Sequence, residues 1–177
     1  MTRGRHGSRW QDADEAEARE AALAALEKAW ALIPAERPDD LPGKTNSEGV
    51  YIPDHHHFET TVWAYGADIW ALLTAHPSLR GDDDLFAQLL AVVNDRAAMR
   101  GRRSFSLLFG SVKLAKYAPQ IAAYVDDPDV YGHVVGTLYK MRMPDYVDQI
   151  RPHANSPSAW IRKEAKRYLA KYDANPS

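Results

Sequence analysis

Apolar residues recur along the chain at intervals of three and four, the spacing that places them on one side of a helix. Leu23, Leu26, Trp30 and Ile33 do so in a segment rich in Ala, Glu and Leu, with acids crowding its first turns, which predicts a helix from Gln11 to Ile33 closed by Pro34. Phe58, Val62, Tyr65, Ile69 and Leu72 predict a second helix, with Asp54 as its N-cap and His76-Pro77 as its end. Asp82 to Asp84 open a third, whose stripe is Leu85, Leu89, Val92 and Val93 before Gly101. Ser104 to Tyr117 reads as a fourth, with Phe105, Leu108, Val112 and Ala115 on one side, and Pro119 starts a new helix. Between the first two helices, 35–53 holds three prolines and two glycines and reads as a long ordered loop. Residues 1–10 offer nothing to bury and are expected to be frayed and disordered.

Beyond Pro119 the pattern repeats. Tyr117, Gln120, Ile121 and Pro128 match Tyr146, Gln149, Ile150 and Pro157 at a separation of 29 residues. A two-residue insertion then moves the register to 31, where Val130, Val134, Leu138 and Lys140 meet Ile161, Ala165, Leu169 and Lys171. Each unit reads as a short helix, a turn at Asp127-Pro128 or Ser156-Pro157, and a longer helix. Such a unit cannot bury its own apolar face and must stack on a neighbour.

The segments YAPQIAAYVDDPDVYGHVVGTLYK and YVDQIRPHANSPSAWIRKEAKRYLAKY resemble HEAT repeats, in which a first helix ends at an Asp- or Ser-Pro turn and the second carries branched apolar, basic and small residues. The resemblance spans about residues 117–172. It implies an all-α, right-handed α-α superhelix of stacked helix pairs, with an N-terminal pair over 11–76 packed with repeats over 82–172 as one domain. Gly132 and Gly136 depart from the family pattern, since each costs a helix interior about 1 kcal/mol relative to Ala unless it permits a close helix approach.

Length and composition agree with one soluble globular domain: 177 residues, 45% apolar and 26% charged. There is no cysteine, which excludes disulfides and thiolate chemistry. No apolar run follows the charges of MTRGRHGSRW and none elsewhere is long enough to cross a bilayer, so a cytoplasmic location without membrane attachment is expected. Gly-rich phosphate loops and a Gly-x-Ser-x-Gly elbow are missing, and the paired acids Asp126-Asp127 and Asp82 to Asp84 stand at helix boundaries, where carboxylates cap exposed amides. His55, His56 and His57 form the one dense group of metal-ligating types. Only His55 and Glu59 would share a helix face, so no metal and no cofactor is assigned.

The net charge of −2 conceals a division. Residues 1–95 carry 8 basic against 17 acidic side chains, and 96–171 carry 14 against 6. The basic half includes Arg102, Arg103 and Lys113 on one predicted helix and Arg162, Lys163, Lys166 and Arg167 beside Trp160 on the last. Tyr131, His133 and Tyr139 are expected between them. On a concave face lined by second helices, this mixture suits a non-catalytic protein-interaction module, an adaptor or a small inhibitor or immunity-type protein, gripping an acidic protein partner. The alternative is nucleic acid, through phosphate contacts and base stacking. Trp160-Ile161-Arg162-Lys163 is similar to a helix of HEAT-like alkylpurine DNA glycosylases, but that family's paired Trp and Asp are not found, and no catalytic residue is assigned.

Overall fold

The structure is a computed structural model that describes residues 10–173; all but the last residue of the expected disordered segment 1–10 lies outside them. It is mostly helical. Among the described residues there are eight α-helices, short 3-10 segments and one two-stranded sheet, and no helix is long and apolar enough to cross a membrane. The contacts group these residues into two compact units: 10–37 with His57–Leu108, and Pro38–His56 with 109–173.

In the first unit, α1 (Glu15–Trp30) begins at a complete capping box. The Asp14 carboxylate accepts from the Glu17 amide at 2.8 Å while the Glu17 side chain accepts from the Asp14 amide. Ala18, Ala22, Leu26 and Ala29 are its buried stripe, and they pack on α2 (His57–Ala75), whose Val62, Ile69, Leu72 and Leu73 are all 1% exposed or less. Asp82 caps α3 (Asp83–Asn94) by accepting from the Leu85 amide, as its sequence position indicates. A 3-10 turn, Arg96–Gly101, then leads into α4 (Arg102–Leu108).

That turn holds what the pattern did not announce. Glu59, 1% exposed on α2, accepts from the Arg100 backbone amide at 3.0 Å and from its Nε and Nη2 at 2.8 and 2.9 Å. The expected His55–Glu59 helix face therefore does not exist: α2 starts at His57, and the Glu59 carboxylate is committed to Arg100. Next to it Met99 is fully buried with φ 46° and ψ −129°, a conformation that costs a non-glycine residue about 1–3 kcal/mol. The peptide is pinned on both sides, by Glu59 on the Arg100 amide and by Arg102 Nε donating to the Met99 carbonyl at 2.9 Å.

Several boundaries differ from expectation, beginning with the first helix, which spans Glu15–Trp30 and not 11–33 and leaves Trp30, expected on the apolar side, 36% exposed. Residues 35–53 are not simply a loop: β1 (Leu41–Thr45) pairs antiparallel with β2 (Tyr51–Asp54), Leu41 opposite Asp54 and Thr45 opposite Tyr51. The turn is fixed by Asn46, whose Oδ1 accepts from the amides of Glu48 and Val50, both at 2.9 Å, with Gly49 at φ 78°. Pro42 and Pro53 inside the strands hid the hairpin, since proline disfavours a strand reading. Asp54 consequently ends β2 and does not cap α2. The expected helix 104–117 is broken, because α4 stops at Leu108 and a 3-10 segment, Val112–Tyr117, follows an extended Ser111. Val112, expected on the apolar side, is 52% exposed.

The second unit contains the internal repeat in three dimensions. Short α5 (Ala118–Ala122) packs on α6 (Tyr131–Met141), and short α7 (Val147–Ile150) packs on α8 (Ala159–Tyr172). Ile121 and Ile150, equivalent in the repeat, are both fully buried, as are Val134 and Ala165. α6 ends with Arg142 in the left-handed conformation and the Met143 amide donating to the Leu138 carbonyl, a Schellman closure before Pro144. Tyr168 on α8 is fully buried, and its hydroxyl donates to the Met143 carbonyl, tying that closure to the second repeat.

Candidate partner-binding surface

The long helices α6 and α8 lie against each other, and their contact is set by residues without side chains. A Cβ on Gly132 would stand 2.2 Å from the Trp160 ring, and one on Gly136 would stand 3.3 Å from the Glu164 carboxylate. Gly132 thus trades helix propensity for a seat that accepts an indole. The ring also meets His133, centroids 4.9 Å apart, yet remains 45% exposed.

With 100° between successive residues, Trp160, Glu164, Arg167 and Lys171 share the side of α8 that meets α6, and Lys163 lies beside them. Arg167 stands over the Tyr139 ring at 4.5 Å and Lys171 over the same ring at 4.5 Å. Arg167 also pairs with Glu164 at 2.7 Å. Two cations at one aromatic ring are attracted by its π density, each contact contributing about 0.5–1 kcal/mol where solvent reaches. The Tyr139 ring in turn meets Tyr172, centroids 6.2 Å apart. Below this row Tyr131 contacts His153 at 5.7 Å, and His153 Nε2 lies 2.8 Å from Asp126 Oδ1.

The expected site residues separate into groups. His133, Tyr139, Trp160 and Arg167 come together on α6 and α8 with Lys163 exposed beside them, while Tyr131 stands apart against His153. Lys166 is exposed on another side of α8, lining a hollow with Arg151. Lys113 is exposed on the 3-10 segment 112–117. Arg162 is turned back on its own helix start, its Nη1 donating to the Ser156 and Pro157 carbonyls at 2.7 and 2.6 Å, so it closes the turn. Arg102 is a correction: fully buried, with Nε on the Met99 carbonyl and Nη1 3.4 Å from the Val93 carbonyl near the end of α3, it cannot reach a partner. Arg103, half-buried beside it, belongs to the first unit.

The division of charge along the sequence does not carry over to the units. Pro38–His56 brings four acids to the second unit, Arg100 and Arg102 fall in the first, and the second unit holds 11 basic and 11 acidic residues. Positive potential is therefore local to α8, which has five cations and one acid. One hairpin acid has a defined place: Glu48 Oε2 accepts from the Ala159 amide at 3.0 Å, filling the start of α8 that Ser158 leaves without a side-chain cap. Sequence reading missed this, since no local spacing connects residues 111 positions apart. It also gave no weight to Trp63 and Trp70, seven apart on α2 and 45% and 38% exposed.

Among the described residues no three His, Asp or Glu side chains are gathered in a way that could hold a metal ion. No family model, no curated protein and no solved structure matches the chain.

Proposed function

We propose that this protein is a non-catalytic binding module of HEAT-like build, acting as an adaptor or small inhibitor that docks an acidic stretch of a partner protein on the α6–α8 face. The superhelical reading draws support from the short-helix, long-helix pairs of 118–172 and from the residues that repeat between them. The docking reading rests on one observation above all: Trp160, 45% exposed, is held at a fixed place by Gly132 and His133 beside Lys163, Arg167 and Lys171. An anchored aromatic next to cations is the composition that carries most of the energy in protein interfaces, because the ring is already ordered and little freedom is lost on docking. The neutral total of the second unit means that local charge on α8, not a long-range field, selects the partner.

A single-stranded nucleic acid would also suit an exposed indole beside cations, by stacking a base and contacting phosphates. Capture of binding proteins by the full chain, repeated with Arg167→Glu/Lys171→Glu and with Lys28→Glu on α1 as a control of similar kind, tests the face. A partner retained by the wild type and the control and lost by the double variant, at unchanged helical circular dichroism, is the expected result. Titration with single- and double-stranded DNA over a salt series decides the class. Affinity that falls steeply with salt would move the assignment to nucleic acid, each phosphate contact adding close to one to the logarithmic slope.

A further inference from the structure

The other side of α8 carries a second feature that the docking face does not use. A hollow of about 380 Å3 opens between the turn 151–155 and α8, lined by Arg151, Ala154, Asn155, Lys166, Leu169, Ala170 and Asp173. Its apolar lining comes from Ala154, Leu169 and Ala170, and its charged lining from Arg151, Lys166 and Asp173. Arg151 is committed to its neighbours, donating from Nη1 to the Asp173 carboxylate and lying 3.6 Å from Asp148. Asp173, only 6% exposed in its side chain, is held by that bond. The side chains of Lys166 and Asn155 have no partner among the described residues.

The lining thus sums to one positive charge, and the charge left uncompensated is the Lys166 ammonium, which shares the hollow with apolar side chains and the Asn155 amide. This volume is at the low end of what small-molecule sites enclose, enough for one side chain or a compound of similar size. We infer that the hollow is a carboxylate subsite: it takes a single carboxylate on a short alkyl stem, the stem lying on Ala154, Leu169 and Ala170 and the carboxylate pairing with Lys166 Nζ and accepting from Asn155 Nδ2. A phosphate group suits it less, because a dianion brings more charge than the lining compensates and has no hydrocarbon to set against Ala154, Leu169 and Ala170. Two sources share this chemistry, a glutamate side chain in a peptide and a free short-chain carboxylate. The subsite stands whether or not the α6–α8 face docks a protein, since Trp160, Arg167 and Lys171 lie outside its lining.

The test is titration of the full 15N-labelled chain with three probes: the capped peptide Ala-Glu-Ala, the capped peptide Ala-Gln-Ala, and butyrate. Binding in the millimolar range is expected for ligands this small with one ion pair, so each is taken to about 10 mM. The glutamate peptide or butyrate should move the amide signals of residues 154, 155, 166, 169 and 170, and whichever binds more tightly identifies the source. The glutamine peptide should bind at least about tenfold more weakly, the difference expected when the ion pair is lost. Lys166→Gln should abolish the response, Lys166→Arg should keep it, and Trp160→Ala should leave it unchanged while weakening capture of a protein partner. Equal shifts with the glutamine peptide, a response that survives Lys166→Gln, or no response to either carboxylate at 10 mM would each overturn the subsite.

Discussion

Arg100 in the first unit and Arg167 in the second are the same residue type in clusters that look alike in sequence, and they have opposite fates. Arg100 is 4% exposed, its guanidinium fixed to the Glu59 carboxylate, which also holds the Arg100 amide. Arg167 keeps much of its side chain in water and rests on the Tyr139 ring. The difference comes from what each neighbourhood supplies. In the first unit a carboxylate on α2 and the carbonyls of Met99 and Val93 satisfy two guanidinium groups that water cannot reach. In the second, aromatic faces and a single acid leave the cations available. A cation near an exposed indole is a candidate for recognition; one with a buried carboxylate is part of the core.

The contrast can be broken most forcefully at Glu59. Replacing it with Gln strands the Arg100 charge in the core and removes the acceptor that pins Met99, so chemical denaturation should show a loss of about 3–5 kcal/mol. A loss below about 1 kcal/mol would mean the pair is not a core element. Arg167→Glu/Lys171→Glu is the matching change in the second unit, and its stability should fall by no more than about 1 kcal/mol, since exposed pairs and cation–π contacts contribute little.

Gly132→Ala sharpens the comparison by separating docking from stability. The methyl group evicts the Trp160 ring while improving helix propensity by about 1 kcal/mol, so the melting temperature should hold while indole fluorescence shifts and partner capture weakens. An unchanged emission spectrum would show that Trp160 does not need the glycine seat. Arg142→Gly should raise stability by about 1 kcal/mol, because the left-handed φ of 61° strains every residue with a Cβ.

Smallest are the pH effects, which again differ between the units. Burial pushes the Tyr168 hydroxyl up to about 12, partly offset by the Tyr146 amide. A raised pKa on an acid means the folded state favours the protonated form. Its contribution is therefore complete below pH 10 and fades between pH 10 and 12. Burial and Asp145 also raise Tyr146, so absorbance titration should show late tyrosine ionisation whose last step, that of Tyr168, disappears in Tyr168→Phe. For Asp82, desolvation works upward, but the Leu85 amide and Arg19 together outweigh it and the carboxyl ends below its usual value. Its contribution is present above pH 3.8 and fades as the pH falls below that; Asp82→Asn should flatten the acid limb of a stability profile.

Much of the helical layout is legible in the sequence because it is local. The Asp82 cap, the stripe of α2 and the 29- and 31-residue repeat all follow from local spacings, whereas the Asp14 box starts the first helix four residues after the Gln11 start that composition predicts. The glycine departures have a reason in the structure: a Cβ on Gly132 would meet the Trp160 ring, and one on Gly136 would crowd the Glu164 carboxylate. What the sequence hid is non-local: the hairpin, with its prolines; Glu48 at the start of α8; and the choice between core and surface for each arginine. Arg102 and Arg162 were placed with the binding residues because helix periodicity gives a direction and not a partner. Carbonyls of Met99, Val93, Ser156 and Pro157 turned out to hold them.

The central claim is that the seated indole of Trp160 and its neighbouring cations form the surface on which another macromolecule is held. The most direct measurement is the affinity of the captured partner for Trp160→Ala against wild type, with circular dichroism confirming the fold. A loss of at least about tenfold is the expected result, as for an anchor residue at the centre of an interface. Equal affinity for the two proteins would contradict it and place recognition elsewhere on the molecule.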